Sequence, residues 1–343
     1  MNNRDRFRHV LRCERVDRLP RFEWAIWWDQ TIRRWKEEGL PRDIPEGWPG
    51  VVPTMEFFGL DPVYQHWFPV LRDTFPSLPH GQGPVSDEAS YEAIRPHLFP
   101  EIDWARAFPD WVRERHRKGD LAVWFTVDGF FWYPRRLFGI ERHFYAFYDQ
   151  PRLMKRINEE LAAYLKQILA GIGRILEPEF MTFGEDMSYN HGPMLSQQLF
   201  DEFMAPYYNE VIPLIKAQNI VPIVDSDGDI EECIPWFTQC DMAGMLPFER
   251  QSGVDSARVR RKHPNLVMIG GFDKMTMTRG KEAMRAEFER LLPVMRQGSY
   301  IPSVDHQTPP GVSLAQYRDY LALLWEYTER GAAKIEERVT SSQ

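Results

Sequence analysis

Short apolar runs that stop abruptly in polar tips alternate along this chain with longer segments of helical periodicity. That alternation is the strongest constraint on the fold. It calls for parallel strands joined by helical crossovers. About eight runs qualify as strands, beginning at Leu19, near Leu78, and at Leu121, Phe180, Ile220, Met242, Leu266 and Tyr300. Between them, residues 5–12, 27–38, 102–117, 281–296 and 314–330 read as helices. The clearest is marked by Leu153, Ile157, Leu161, Leu165, Ile168, Ile172 and Ile175 at helical spacing. No linker, repeat or low-complexity segment divides residues 1–343, so one domain is expected, with a Pro/Gly-rich excursion near 68–85 as a hairpin or lid.

Five consecutive runs end in acid, His or Gly-rich tips: Glu185/Asp186, Asp225/Asp227, Glu249, Gly271/Asp273 and Asp305/His306. If the strands close into a (β/α)8 TIM barrel, these tips ring one mouth, where such folds hold their chemistry. An open doubly wound sheet is the competing architecture, but no glycine-rich phosphate loop follows the first run.

The central stretch is NIVPIVDSDGDI, residues 219–230. Carboxylates crowded at the tip of a buried strand repel one another and lose hydration, so a cation or a shared proton should hold them. An Asx-turn accounts for Asp229 alone, and Asp225 and Asp227 remain as a pair. Asp225, Asp227, Glu249 and His306 offer oxygen and nitrogen ligands for a divalent metal, Zn²⁺ being the expected ion. Glu185 and Asp186 can cap the following turn, and Asp227 and His306 are catalytic candidates as well as ligands. Trp24, Trp28, Phe131 and Trp132 are core residues or the walls of a pocket for a flat, apolar or aromatic ligand, and His191 contacts the substrate or shapes its loop.

Composition narrows the function. There are 42 basic and 50 acidic residues, a net charge of −8, with no dense Lys/Arg patch, which argues against nucleic acid. Twelve tryptophans exceed the needs of a core alone. No apolar run reaches membrane-spanning length, the opening MNNRDRFRHVL lacks an apolar leader, and three Cys make no disulfide framework. A cytoplasmic protein is expected.

Particular motifs carry a resemblance. Gly184-Glu185-Asp186, VDSDGDI, GMLPFE (244–249), GGFDK (270–274) and YIPSVDHQTPPGV (300–312) resemble the uroporphyrinogen decarboxylase superfamily, as does the start, Arg4-Asp5-Arg6-Phe7 followed by Val16-Asp17-Arg18-Leu19-Pro20. The resemblance implies a (β/α)8 barrel with its site at the mouth, and a proton-transfer role for Glu185 and Asp186, since family members keep an acid there. It spans cofactor-free decarboxylation of uroporphyrinogen and zinc-dependent methyl transfer to or from corrinoid proteins. True decarboxylases carry an arginine-rich RQAGRY-like segment after the first strand. Here residues 23–30 read EWAIWWDQ, with no arginine to grip porphyrinogen carboxylates. The methyltransferase branch carries H-x-C-G after the fifth strand and a Cys after the eighth. In those places stand Asp225-Ser226-Asp227-Gly228 and His306, a harder ligand set suited to an ether, alcohol or water oxygen.

Three functions stay open on these grounds. The first is methyl transfer between a small methylated substrate (methoxy-aromatic or methylamine) and a corrinoid supplied by a partner protein. The second is metal-free decarboxylation or lysis of a carboxylated substrate. The third is a non-catalytic barrel. A second copy of the same polypeptide, giving a homodimer, is the other partner allowed.

Overall fold

The computed structural model describes residues 1–332, so the last part of the expected domain, 333–343, lies outside the described residues. Seven parallel strands form one curled sheet in sequence order: β1 (Val63–Trp67), β2 (Ala122–Asp128), β3 (Phe180–Gly184), β4 (Val221–Asp225), β5 (Gly244–Leu246), β6 (Val267–Ile269) and β7 (Tyr300–Ile301). Each neighbour pair is in parallel register, for example Thr126 beside Thr182 and Thr182 beside Ile223. The connections contain the helices that cover the sheet, the longest being Pro151–Ile172. Its Leu153, Ile157, Leu161, Leu165, Ile168 and Ile172 are all buried, as their spacing predicts.

Strand alternation sorts the side chains into two faces. Tyr64 and His66 pack against Phe108 on the helical side. Gln65 donates to the Thr126 hydroxyl (2.8 Å), Thr126 shares a hydrogen bond with Thr182 (2.7 Å), and the Trp67 indole donates to Asp128 (3.0 Å) on the inner side. The inside of the sheet is therefore polar near its C-terminal ends.

Residues 19–24, expected as the first strand, occupy the eighth place without joining the ladder. Leu19 and Phe22 are buried, but the backbone of 19–24 meets β1's side through a single bond, Asp61 N–H to Arg21 O (2.7 Å). Side chains make the other contacts. Asp61 accepts from the Arg21 amide (2.9 Å) and from Arg18 (2.6 and 2.7 Å). On the far side, buried Glu23 accepts from the Ser303 hydroxyl (2.8 Å), the Val304 amide (3.2 Å) and the Tyr317 hydroxyl (3.2 Å). Residues 19–24 thus link the two edges of the sheet, and the barrel closes. The strand expected near Leu78 is absent from the described residues; the region 68–85 holds turns and two isolated bridges, Leu71 to Leu98 and Gln82 to Gly139. The missing strand is β1, whose VYQHW lacks the apolar run that marks the others. The helix expected over 102–117 is split at Pro109 into Trp104–Ala107 and Asp110–Lys118.

Candidate active site

The C-terminal ends of the strands collect the acidic tips. One ligand atom each from Asp227, Glu249 and His306 lie within 4.8 Å of one another. They reach that point from the loops after β4, β5 and β7. His306 Nε2 is 3.4 Å from Asp227 Oδ2. Glu249 uses one oxygen, Oε2, to accept from the Gly228 amide (2.9 Å) and the Ser252 hydroxyl (3.2 Å). Its other oxygen makes neither of those bonds. Gly228 lies at φ +85°, and a Cβ there would stand 2.7 Å from the Tyr189 amide nitrogen, so the turn that delivers Asp227 needs glycine. Asp229 accepts from the Glu231 amide (3.2 Å), which is the Asx-turn its sequence suggested.

The charges around the cluster are mutually perturbed. Burial, then the charges of Asp186 and Asp227, push the Asp225 carboxyl well above the usual carboxylate range. Burial and then Asp227 push Asp186 up to about 6, against the Asp227 amide donated to it (3.3 Å). The hydrogen bond to Asp227 raises His306 above its ordinary value. A group of two carboxylates and one imidazole, with further carboxyls competing nearby, has the donor chemistry of a divalent cation site. Asp225, expected as a fourth ligand, falls outside the three-residue group, although its charge couples to Asp186 and Asp227.

Several expected site residues sit elsewhere. Glu185, expected to transfer protons, is fully buried and turned away from the cluster. It accepts from the amides of Phe130 (2.8 Å), Phe131 (2.8 Å) and Trp132 (3.1 Å), and from the Tyr208 hydroxyl. These amides begin the helix Trp132–Phe138, whose first N–H groups have no partner within the helix. A Cβ on Gly129 would lie 2.1 Å from the Glu185 carboxyl, so that glycine makes room for it. Phe131, expected on a pocket wall, is core, packed edge-on against His143 (4.7 Å). Trp132 lies under Arg135 (5.2 Å), and the exposed His191 sits in a hairpin turn beside Tyr189 (5.7 Å). Trp24 is at the site, its ring 6.0 Å from that of His306, while Trp28 lines a neighbouring cavity of about 350 Å³. Asp305 is buried and holds loops together, accepting from the amides of Arg250 (3.0 Å) and Lys274 (3.2 Å) and pairing with the Lys274 ammonium (3.2 Å).

One residue not singled out by the sequence also lies at the strand ends. Asp128 is buried at the tip of β2, where Trp67 and Arg136 both donate to its carboxylate. Its signal is the same as the others', an acid closing an apolar run, but the run LAVWFTV reads as complete one residue before it.

The site's titration is open to test in chelator-treated protein. Asp186 and His306 each hold a proton to higher pH folded than unfolded. Their stabilisation is complete below the unfolded values of 3.8 and 6.5 and is lost as pH rises through about 6 for Asp186 and above 6.5 for His306. Asp227→Asn removes a cause common to both. The variant's thermal midpoint should fall less than the wild type's between about pH 4 and 8. Parallel curves would show that Asp227 does not couple to either group.

A closed parallel barrel with two carboxylates and a histidine converging at its C-terminal mouth defines the class: an α/β barrel with an enzyme-type site. The chain belongs to the uroporphyrinogen decarboxylase (URO-D) family, whose model matches residues 141–327. A methyltransferase from Methanosarcina mazei shares the fold, with a TM-score of 0.66 at 13% identity over 95% of this chain and 99% of that one. A uronate isomerase from Bacillus halodurans aligns at a TM-score of 0.37 and 9% identity, over 92% of this chain and 66% of that one, too weakly to bear on the fold. No curated protein sequence matches the chain. No described helix is long and apolar enough to cross a membrane.

Proposed function

We propose that this URO-D family enzyme is a metal-dependent methyltransferase that moves a methyl group between a small methylated substrate, methoxy-aromatic or methylamine in type, and a corrinoid carried by a partner protein. The observation that carries the reading is the convergence of Asp227, Glu249 and His306 within 4.8 Å at the barrel mouth. These residues would hold the ion, Zn²⁺ by their donor chemistry, and a bound divalent ion supplies Lewis-acid polarisation of the substrate heteroatom. The protein's own groups do the rest. Asp186, raised by burial and lying beside Asp227, is the acid that would protonate the departing heteroatom. With the partner's reduced corrinoid as methyl acceptor, the C–O or C–N bond would break with its electron pair left on the heteroatom, which would take that proton while the methyl group passed to the acceptor. His306, tied to Asp227, and Trp24 beside it shape the space where the heteroatom would sit. The M. mazei methyltransferase, alike in fold, is consistent with this choice among family chemistries.

The test is metal content of the purified protein, followed by methyl transfer from methoxylated aromatics and methylamines to a reduced corrinoid. Metal-free protein that turns over a substrate at full rate would defeat the reading.

Decarboxylation of uroporphyrinogen is the expected failure. The segment 23–30 lacks arginine, and the two arginines of the helix that follows are committed: Arg33 to Asp29 (2.5 Å) and Arg34 to Glu38 (2.6 Å). Eight carboxylates on the macrocycle would meet tryptophan and acid. An anaerobic assay with authentic uroporphyrinogen should give no coproporphyrinogen; turnover of about 1 per second or faster would refute this.

A further inference from the structure

A cavity of about 540 Å³ opens between residues 23–26, the helix Val51–Phe57, the helix Asp110–Lys118 and β1. Its size suits a small molecule, for which sites run about 300–1,000 Å³. Trp24, Trp48, Trp67, Trp111 and Trp124 line it. Four tryptophans among the described residues are largely exposed: Trp28 (42%), Trp48 (51%), Trp67 (40%) and Trp111 (45%). Three of those four converge on this one cavity. Exposed indoles scattered singly need no explanation, but gathered around a concavity they mark a binding surface. Trp24 joins the cavity to the reacting cluster, since its ring also stands edge-on to His306.

The polar groups on these walls are nearly all committed. Gln65 donates to Thr126, and the Tyr64 hydroxyl donates to the Ala107 carbonyl (3.0 Å). Glu23 holds Ser303, Val304 and Tyr317, and its burial disfavours the charged form. Burial, and then the charge of Arg106, lower His66 to about 4, so it is neutral near pH 7. The exception is Arg106. Its guanidinium lies at the rim, between this cavity and another of about 710 Å³, and has no ion-pair or hydrogen-bond partner among the described residues. An indole-lined cavity with one uncommitted cation on its wall is complementary to a ring that carries an anionic group.

We infer that this tryptophan-lined cavity binds the substrate's aromatic ring and that Arg106 holds a carboxylate on it, which makes the substrate class an aromatic acid bearing a methyl ether. The inference rests on the methyltransferase reading for the identity of the reacting group, not for binding itself. The alternative occupant of an indole cage, a quaternary ammonium, is opposed by the Arg106 charge.

Calorimetric titration separates these cases, with 4-methoxybenzoate, its neutral analogue 4-methoxybenzamide, and glycine betaine as probes. The acid should bind more tightly than the amide. Arg106→Gln should weaken the acid about tenfold or more and leave the amide within about twofold. Trp111→Ala, on an exposed helix position, should weaken both by about tenfold. Equal binding of acid and amide, no response to Arg106→Gln, or tighter binding of glycine betaine would overturn the inference. If the acid binds in the Arg106-dependent way and metal-loaded protein transfers no methyl from it or from any other substrate, the binding site stands and the proposed reaction falls. If methyl is transferred from amines while the acid does not bind, the reaction stands and this site falls.

Discussion

His306→Ala is expected to abolish methyl transfer, by about a thousandfold or more, and to release the metal, while leaving the barrel folded. The imidazole is the only nitrogen donor in the group of Asp227, Glu249 and His306, and without it two carboxylates must hold the ion alone. The same side chain packs little of the core: it is 28% exposed and touches the site through Asp227 and Trp24. Removing it should cost about 1 kcal/mol of stability or less. Metal stoichiometry, thermal midpoint and turnover measured on one preparation decide the matter. Metal and turnover both retained would mean that the reacting centre lies elsewhere.

The opposite signature belongs to Glu185. Replacing it with Ala strands three buried amide donors, of Phe130, Phe131 and Trp132, together with the Tyr208 hydroxyl. A buried donor left without a partner costs about 1–3 kcal/mol, so the variant should lose about 3 kcal/mol or more in urea unfolding. Turnover per folded molecule should stay within a few-fold of wild type, since Glu185 faces the helix start and not the mouth. Glu185→Gln keeps the shape but turns an amide NH₂ toward donors, so it should recover only part of the loss. A loss in turnover larger than the loss in stability would return Glu185 to the reaction.

Much of the architecture was legible because period and punctuation are local properties. The runs at Leu121, Phe180, Ile220, Met242, Leu266 and Tyr300 each contain a strand of the sheet, and the helix around Leu161 follows its apolar spacing. The two misplaced strands mark where local signals end. Residues 19–23 are buried like a strand, yet the bonds of Glu23 and Arg21 take the place of a ladder, and no pattern in the sequence distinguishes these. VYQHW of β1 mixes polar and aromatic residues because one face meets polar partners such as Thr126 while the other meets Phe108. At the site, Asp227, Glu249 and His306 were readable as strand-tip residues. Which way each tip points was not. Glu185 and Asp186 are neighbours, yet one is tied to a helix start and the other faces Asp227. The same ambiguity separated Trp24, beside His306, from Phe131, in the core.

The closure of the barrel by residues 19–24 gives its wall an uneven fabric. Around seven strands the joint is a backbone ladder, which side-chain substitution leaves largely intact. At the eighth place it is a seam stitched mainly by Asp61, Glu23, Ser303 and Tyr317, each removable by a single codon change. Local opening there need not break any strand pairing, so the seam can yield at a free energy well below that of global unfolding. The tryptophan-lined cavity lies along that seam. A barrel usually admits its ligand only through the open end; this one carries, beside the cluster of Asp227, Glu249 and His306, a wall section whose tightness evolution can adjust one side chain at a time.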